Sequence, residues 1–202
     1  MAQFIKEEIK LRLLEAAREE FLVHGFEGAS VRTITAKART AKSNLYNYFK
    51  DKDELFCAVL EPTLLEILTG LEEAQQFGGH EGTKTYTLAA QRQVVDAVIE
   101  FIAHHEADVR LLLFKAQGSS LSNSRQEVLD AFTDVMIGWA RAVRPREKVS
   151  RPFVSTVCGF YLNVIEQLLL SGRPADWGKY MDEVVAFIYG GWKSVLSGPE
   201  GT

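Results

Sequence analysis

From Ser30 to Lys50 the chain holds five basic side chains, Arg32, Lys37, Arg39, Lys42 and Lys50, and no acid. Among them stand Ser43, Asn44, Tyr46, Asn47 and Tyr48. Cations and tyrosine hydroxyls are suited to phosphate oxygens. An asparagine amide presents the donor and acceptor that pair with adenine, and lysine reaches guanine or phosphate. A polyanion is therefore the partner that this segment suits. The whole chain does not suit one: its 202 residues carry a formal charge of −4. The charge is unevenly placed. Residues 1–50 hold nine basic and six acidic side chains, and residues 51–202 hold 14 and 21. A +3 head precedes a −7 body, and only the head has the electrostatics for nucleic acid.

The elements that must position these groups are helical. Ile9, Leu13, Ala17 and Phe21 recur every four residues and form one apolar stripe on a helix from Phe4 to about His24, ended by Gly25. Ser30 can cap a second helix from Val31 to about Ala38. Arg39 to Ala41 makes a tight connection to a third, Lys42 to Phe49, with Leu45 and Phe49 facing inward. Two short helices joined by about three residues read as a helix-turn-helix, whose second helix fits the major groove. Asp51 caps a fourth helix with Glu54 at the capping-box position, and Pro62 falls inside it. A loop is expected over Phe77 to Thr87, with helices at about 88–106, 107–117, 125–143, 152–171 and 176–197. Pro152 suits the start of the penultimate helix, Gly172 its end and Asp176 the start of the last. The expected class is all-α, with about nine helices and no sheet. The 152–171 helix is apolar on nearly all faces, which points to a central position or an oligomer interface.

Several chemistries find no residues to perform them. Cys57 and Cys158 are 101 positions apart and make no metal or redox motif, so two buried free thiols are expected. His104, His105, Glu106 and Asp108 are poorly spaced for a metal because adjacent histidines leave a helix on different sides. No nucleophile elbow, phosphate loop, zinc-protease helix or dinucleotide fingerprint is present. The expectation is a non-enzyme without metal or cofactor; catalysis by Glu166 as a base is the remote alternative. The longest apolar runs are about five residues, against roughly 18 for a membrane span, so no membrane partner is expected. The N-terminus lacks an apolar signal core, which predicts a cytoplasmic protein.

Two blocks then resemble a known family. They are Gly25-Phe26-Glu27-Gly28-Ala29-Ser30-Val31-Arg32-Thr33-Ile34 and Lys42-Ser43-Asn44-Leu45-Tyr46-Asn47-Tyr48-Phe49-Lys50-Asp51-Lys52-Asp53-Glu54-Leu55-Phe56. With Leu13 to Ala17 and Phe21, they resemble the N-terminal domain of the tetracycline-repressor (TetR) family over roughly residues 9–57. The resemblance implies a homodimeric, ligand-responsive regulator, most simply a repressor released from a palindromic operator by a small molecule. Residues 1–52 would be the DNA-binding domain and 53–202 the helical ligand-sensing and dimerisation domain. Carried onto matching positions, Ser30, Arg32, Lys42, Ser43, Asn44, Tyr46, Asn47, Tyr48 and Lys52 would contact DNA. Helices 152–171 and 176–197 would form the dimer interface, with Gly190 and Gly191 allowing close approach. Phe114, Gln117, Trp139 and Tyr161 sit on the family's usual pocket-lining helices. Asn163, Glu166 and Gln167 could face solvent, a dimer mate or a ligand.

The turn departs from the family's usual Gly-Val-Ser. Here it is Arg39-Thr40-Ala41, where Arg39 would be strained if left-handed and Ala41 cannot cap the third helix. Arg39 could gain a phosphate contact in exchange, and Thr40 could cap instead. Thr35 also stands where a small alanine is usual. A helical small-molecule binder with a degenerate DNA-binding head is the alternative that this departure leaves open.

Overall fold

The computed structural model describes residues 2–80, 87–143, 149–172 and 175–197. Among these, nine α-helices and no strand form: α1 (Ala2–Gly28), α2 (Val31–Lys37), α3 (Lys42–Leu45), α4 (Lys52–His80), α5 (Leu88–His104), α6 (Glu106–Arg110), α7 (Ser124–Val143), α8 (Arg151–Ser171) and α9 (Trp177–Ser197). α6 runs directly into a π-helical turn, Leu111–Lys115. The all-helical class with an N-terminal helix-turn-helix is thus as the sequence predicts. The chain divides into two units, Met1–Ile67 with His105–Gln126, and Leu68–His104 with Glu127–Thr202.

The first unit is built on the apolar stripe of α1. Leu13, Ala17 and Phe21 are fully buried, together with Ile34 of α2, Leu45 of α3 and Leu55, Phe56 and Leu60 of α4. Phe21 meets Phe56 edge-on at 4.8 Å between ring centroids, and Phe26 meets Phe56 at 5.3 Å. Gly25 has φ +68° and bends the chain out of the helical path, which brings Phe26 into this cluster. At the start of α4, Asp51 Oδ1 accepts the Glu54 N–H at 2.9 Å, and the Glu54 carboxylate accepts the Lys50 N–H. The Asp51 cap is therefore formed, while the return bond of the expected capping box falls on the Lys50 N–H, one residue before the cap.

A polar chain crosses the same unit. The buried Asp108 carboxylate accepts from Thr63 Oγ1 at 2.7 Å and pairs with Arg18 at 3.2 Å. Thr63 Oγ1 also lies 3.3 Å from His105 Nδ1, and His105 Nε2 lies 3.0 Å from Glu66. Arg18 donates in addition to the Val59 carbonyl at 3.2 Å. Three separate stretches of chain are joined by one set of charged hydrogen bonds. His105 and Asp108, considered above as metal ligands, are used here in hydrogen bonding and ion pairing.

In the second unit Ile137, Ala140, Val154, Cys158, Ile188, Trp192 and Leu196 form a core drawn from α7, α8 and α9. Trp139 stands edge-on to Trp192 at 5.4 Å. Arg92 of α5 pairs with Asp96 and with Asp182 of α9. Gly172, with φ +74°, closes α8 by returning its N–H to the Leu168 carbonyl at 3.0 Å. Burial pushes the Cys158 thiol up to about 11, against a smaller lowering by the Thr133 hydroxyl.

Five expectations need correction. α3 is helical only to Leu45; the chain then tightens, with Asn47 N–H to Asn44 O at 3.1 Å and Tyr48 N–H to Leu45 O at 2.9 Å. Such short-range bonds satisfy terminal carbonyls that a longer helix would have satisfied. The single helix expected at 107–117 is α6 plus the π turn, in which Leu111 and Leu112 are both buried. α4 continues through Gly78 and Gly79 to His80, where a loop was expected. Glycine costs about 1 kcal/mol in a helix without stopping its propagation; residues 81–86 of that loop lie outside the described residues. Cys57 is only half-buried, with Sγ 3.3 Å from Ser120 Oγ. Finally, α8 is long and apolar enough by composition to cross a membrane. Counting uninterrupted runs missed this because Ser155, Thr156, Gly159 and Asn163 break the runs while barely lowering the average.

Asp108→Ala should cost about 2 kcal/mol in urea unfolding. That is less than the 3–5 kcal/mol for a fully buried pair, because the Arg18 side chain is 42% exposed and can rehydrate. An unchanged midpoint would show that the pair contributes nothing. Ionisation of the second core sets a further expectation. The Cys158 thiol ionises near 9 when unfolded and near 11 when folded, so stability is complete below about pH 9 and falls toward pH 11. Cys158→Ala should reduce the drop in urea midpoint between pH 8 and pH 10.5.

Candidate nucleic-acid interface

α2 begins at Ser30, whose Oγ accepts the Thr33 N–H at 3.4 Å. The Ser30 N–H itself donates to Glu20 Oε1 at 3.3 Å. Glu20 is buried and also pairs with Lys37 at 3.5 Å. One carboxylate on α1 thereby ties both ends of α2. It also occupies one of the five cations of the basic segment; Arg32, Arg39, Lys42 and Lys50 remain exposed. Thr35 is buried, and its hydroxyl donates to the Val31 and Arg32 carbonyls at 3.0 and 3.1 Å. The extra oxygen relative to alanine is thus accommodated by back-bonding to the helix.

The turn has a defined form. Thr40 N–H donates to Thr35 O at 3.0 Å, and Arg39 N–H donates to Ala36 O at 3.1 Å. These two bonds make a Schellman motif, with Arg39 at the left-handed position that glycine normally holds. Arg39 has φ +52°, the one positive value at a non-glycine among the described residues. The strain inferred from the sequence is therefore real, at about 1–2 kcal/mol. Ala41 stands at the N-cap of α3 and makes no side-chain cap. Thr40 does not replace it: its Oγ1 accepts from Asn44 Nδ2 at 2.8 Å. Asn44 Oδ1 in turn accepts from Asn47 Nδ2 at 3.1 Å.

Beneath the turn, Leu45 and Phe49 are buried and hold the polar side outward. Lys42, Ser43 and Asn47 are exposed, Asn44 is half-buried and Tyr46 is 49% exposed. Tyr48 packs partly on the core, with Lys6 Nζ 6.0 Å from its ring centroid. Lys52, expected to clamp a phosphate, has partners within the head. Its ammonium donates to the carbonyls of Phe26, Glu27 and Ala29 at 2.6, 3.2 and 3.3 Å and lies 4.5 Å from the Phe26 ring centroid. All three of its donors are directed at backbone released by the bend at Gly25, so here it fastens α4 to the end of α1.

The residues named for a ligand lie in both units. Phe114 is half-buried in the π turn and Gln117 is exposed, both in the first unit. In the second, Trp139 packs on Trp192, and Tyr161 meets Phe132 edge-on at 5.6 Å. The Tyr161 hydroxyl and Trp192 Nε1 are buried without a well-formed hydrogen bond. Burial raises the Tyr161 pKa strongly, against a weaker opposing influence of the Trp192 indole. Among the described residues no three His, Cys, Asp or Glu side chains gather to hold a metal. Sequence reasoning missed Glu20 and Thr40. Glu20 had a signal: it falls four residues after Ala16, in register with the buried face of α1. Thr40 had none, since its partner is another exposed-type polar residue.

The described residues thus form a basic helix-turn-helix, free of acids from Ser30 to Lys50, within an otherwise helical chain. The model for bacterial regulatory proteins of the tetR family matches residues 13–59. An HTH-type transcriptional repressor of Streptomyces coelicolor is 43% identical over 67 residues, 33% of this chain and 35% of that protein. The HTH-type transcriptional activator FasR of Mycolicibacterium smegmatis is 31% identical over 107 residues, 53% of this chain and 46% of that one. The chain thus spans less than half the length of these two relatives. The crystal structure of a TetR-like transcriptional regulator from a Rhodococcus species shares the fold, with a TM-score of 0.66 at 20% identity over 94% of this chain and 96% of that one. Residues 13–59 are thus similar to bacterial regulatory proteins of the tetR family.

The geometry at Arg39 predicts two opposite effects of one change. Arg39→Gly should raise the unfolding free energy by about 1 kcal/mol, because glycine adopts φ +52° without strain. The same change should weaken duplex binding and lower the salt slope by about one phosphate contact per subunit. Unchanged affinity would remove Arg39 from the interface.

Proposed function

We propose that the protein is a cytoplasmic, homodimeric, ligand-responsive transcriptional repressor that is released from a palindromic operator by a small-molecule effector. One observation carries this reading: exposed Arg39, Lys42 and Lys50 share a segment with Tyr46 and Asn47, above the buried anchors Leu45 and Phe49. Residues 1–52 would read DNA, placing Ser30, Arg32, Arg39, Lys42, Ser43, Asn44, Tyr46, Asn47 and Tyr48 against the duplex. Lys52 would clamp a phosphate and also secures the head through its carbonyl contacts. Each subunit would enter one major groove, with half-sites one or more helical turns apart.

Residues 53–202 would sense and dimerise. Support for dimerisation comes from the outer side of α8 and α9, where the tilted rings of Phe160 and Phe187 meet at 5.6 Å and Phe187 is 70% exposed. A Cβ at Gly190 or Gly191 would meet nothing within 4 Å, so a second helix has room to approach. Within the second unit, the effector would contact Trp139 and Tyr161. The aromatic surroundings suit an apolar molecule carrying a polar group that can bond the Tyr161 hydroxyl. Effector binding would change operator affinity only by its differential affinity for two states of the protein.

Fluorescence anisotropy against duplexes from the regions flanking the protein's own gene tests the reading. Specific binding should weaken about 10,000-fold between 50 and 200 mM salt if each of two subunits contributes four cations. Binding no stronger than to random duplex, with no salt dependence, would overturn it and favour a ligand-binding protein with a degenerate head.

A further inference from the structure

We propose that Thr40 is a specificity-determining positioning residue, which sets the Asn47 amide to read adenine through an intervening Asn44. This inference rests on the proposed DNA-binding function and assigns a role to a residue that the family pattern does not mark. Thr40 precedes α3, Asn44 lies within it and Asn47 follows it, and two side-chain hydrogen bonds join the three in one row. Thr40 is itself held in place. Its N–H is bonded to the Thr35 carbonyl in the Schellman turn, and its side chain is half-buried. Because Ala41 occupies the cap position of α3, the Thr40 hydroxyl is not drawn into capping and accepts from Asn44 Nδ2 at 2.8 Å.

The ladder has a direction. An asparagine amide has two donors on nitrogen and two lone pairs on oxygen. Asn44 uses a donor on Thr40, and its oxygen accepts from Asn47 Nδ2 at 3.1 Å. Asn47, the exposed end, therefore retains its oxygen and one N–H, an acceptor beside a donor. That pair complements the N6 donor and N7 acceptor of adenine in the major groove; guanine offers two acceptors there instead. Turning either amide alone would set nitrogen against nitrogen or oxygen against oxygen within the ladder. With the Thr40 hydroxyl accepting, Asn47 is held with that acceptor and donor outward; the reverse ladder requires Thr40 to donate and both amides to turn together, so Asn47 has fewer orientations open before DNA arrives and less freedom is lost on binding. Thr40 touches no base in this scheme; it acts through Asn44.

The experiment is selection of the full-length protein on a randomised duplex library, run in parallel with Thr40→Val, Thr40→Ser and Asn47→Ala. The wild type should enrich adenine at one position in each half-site. Replacing that base with 7-deaza-adenine should weaken binding about tenfold, within the range for one bidentate base contact. Thr40→Val keeps the shape of the side chain but removes the hydroxyl. It should flatten the adenine preference about tenfold while leaving the salt slope and non-specific affinity unchanged, and Thr40→Ser should restore it. A Thr40→Val protein that keeps full adenine preference overturns the proposal, as does enrichment of guanine or thymine at the Asn47-dependent position. If the wild type enriches no sequence at all, the regulator reading falls and this inference falls with it. Enrichment without any dependence on Thr40 rejects this inference alone.

Discussion

The helix-turn-helix depends on one packing contact: the ring of Phe56, at the start of α4, seated between Phe21 and Phe26 of α1. α2 and α3 are seven and four residues long. Helices so short do not persist alone in water, because nucleation costs more than a few hydrogen bonds return. They exist because Ile34, Leu45 and Phe49 are buried on the surface that α1 and α4 present. Each aromatic pair adds about 0.5–1.5 kcal/mol beyond the area it buries. The bend at Gly25 belongs to the same arrangement, since without it Phe26 would continue along α1 rather than return to Phe56.

Polar groups then set orientation on that apolar base. Glu20 binds the first N–H of α2 and the lysine at its end, and Lys52 closes the carbonyls left open by the bend. Both are charges held against backbone or an opposite charge at the edge of the core, where a poorly placed partner would leave a costly desolvated group. The same logic applies to Asp108, which joins α1, α4 and α6 through Arg18, Thr63 and the adjacent His105. These contacts contribute more to the definition of one arrangement than to net stability.

The turn between α2 and α3 shows strain and function at one place. Arg39 holds a backbone conformation that suits glycine, and Ala41 leaves α3 uncapped. Two local stabilising features are absent, yet the turn keeps both Schellman hydrogen bonds because the buried ends of α2 and α3 determine where the chain must pass. What the substitutions supply is an added exposed cation and a hydroxyl free to hold Asn44.

The sequence by itself determined the all-helical class, the stripe of α1, the caps at Ser30 and Asp51, the end of α8 at Gly172, and the segment whose charges and amides suit DNA. Those features are local: each follows from spacing within one helix or from the residue type at a helix end. The tertiary structure alone decided how far α3 extends, that residues 111–115 wind as a π turn, and which polar residues support the site. Lys52 shows why. From the sequence it is one more lysine beside a basic segment, and only the return of the chain at Gly25 brings three carbonyls within reach of its ammonium. Thr40 and Asn44 likewise become partners only once the turn has its left-handed residue. Hydrogen bonds between side chains depend on positions that packing fixes to within an ångström, and residue type and spacing do not carry that information.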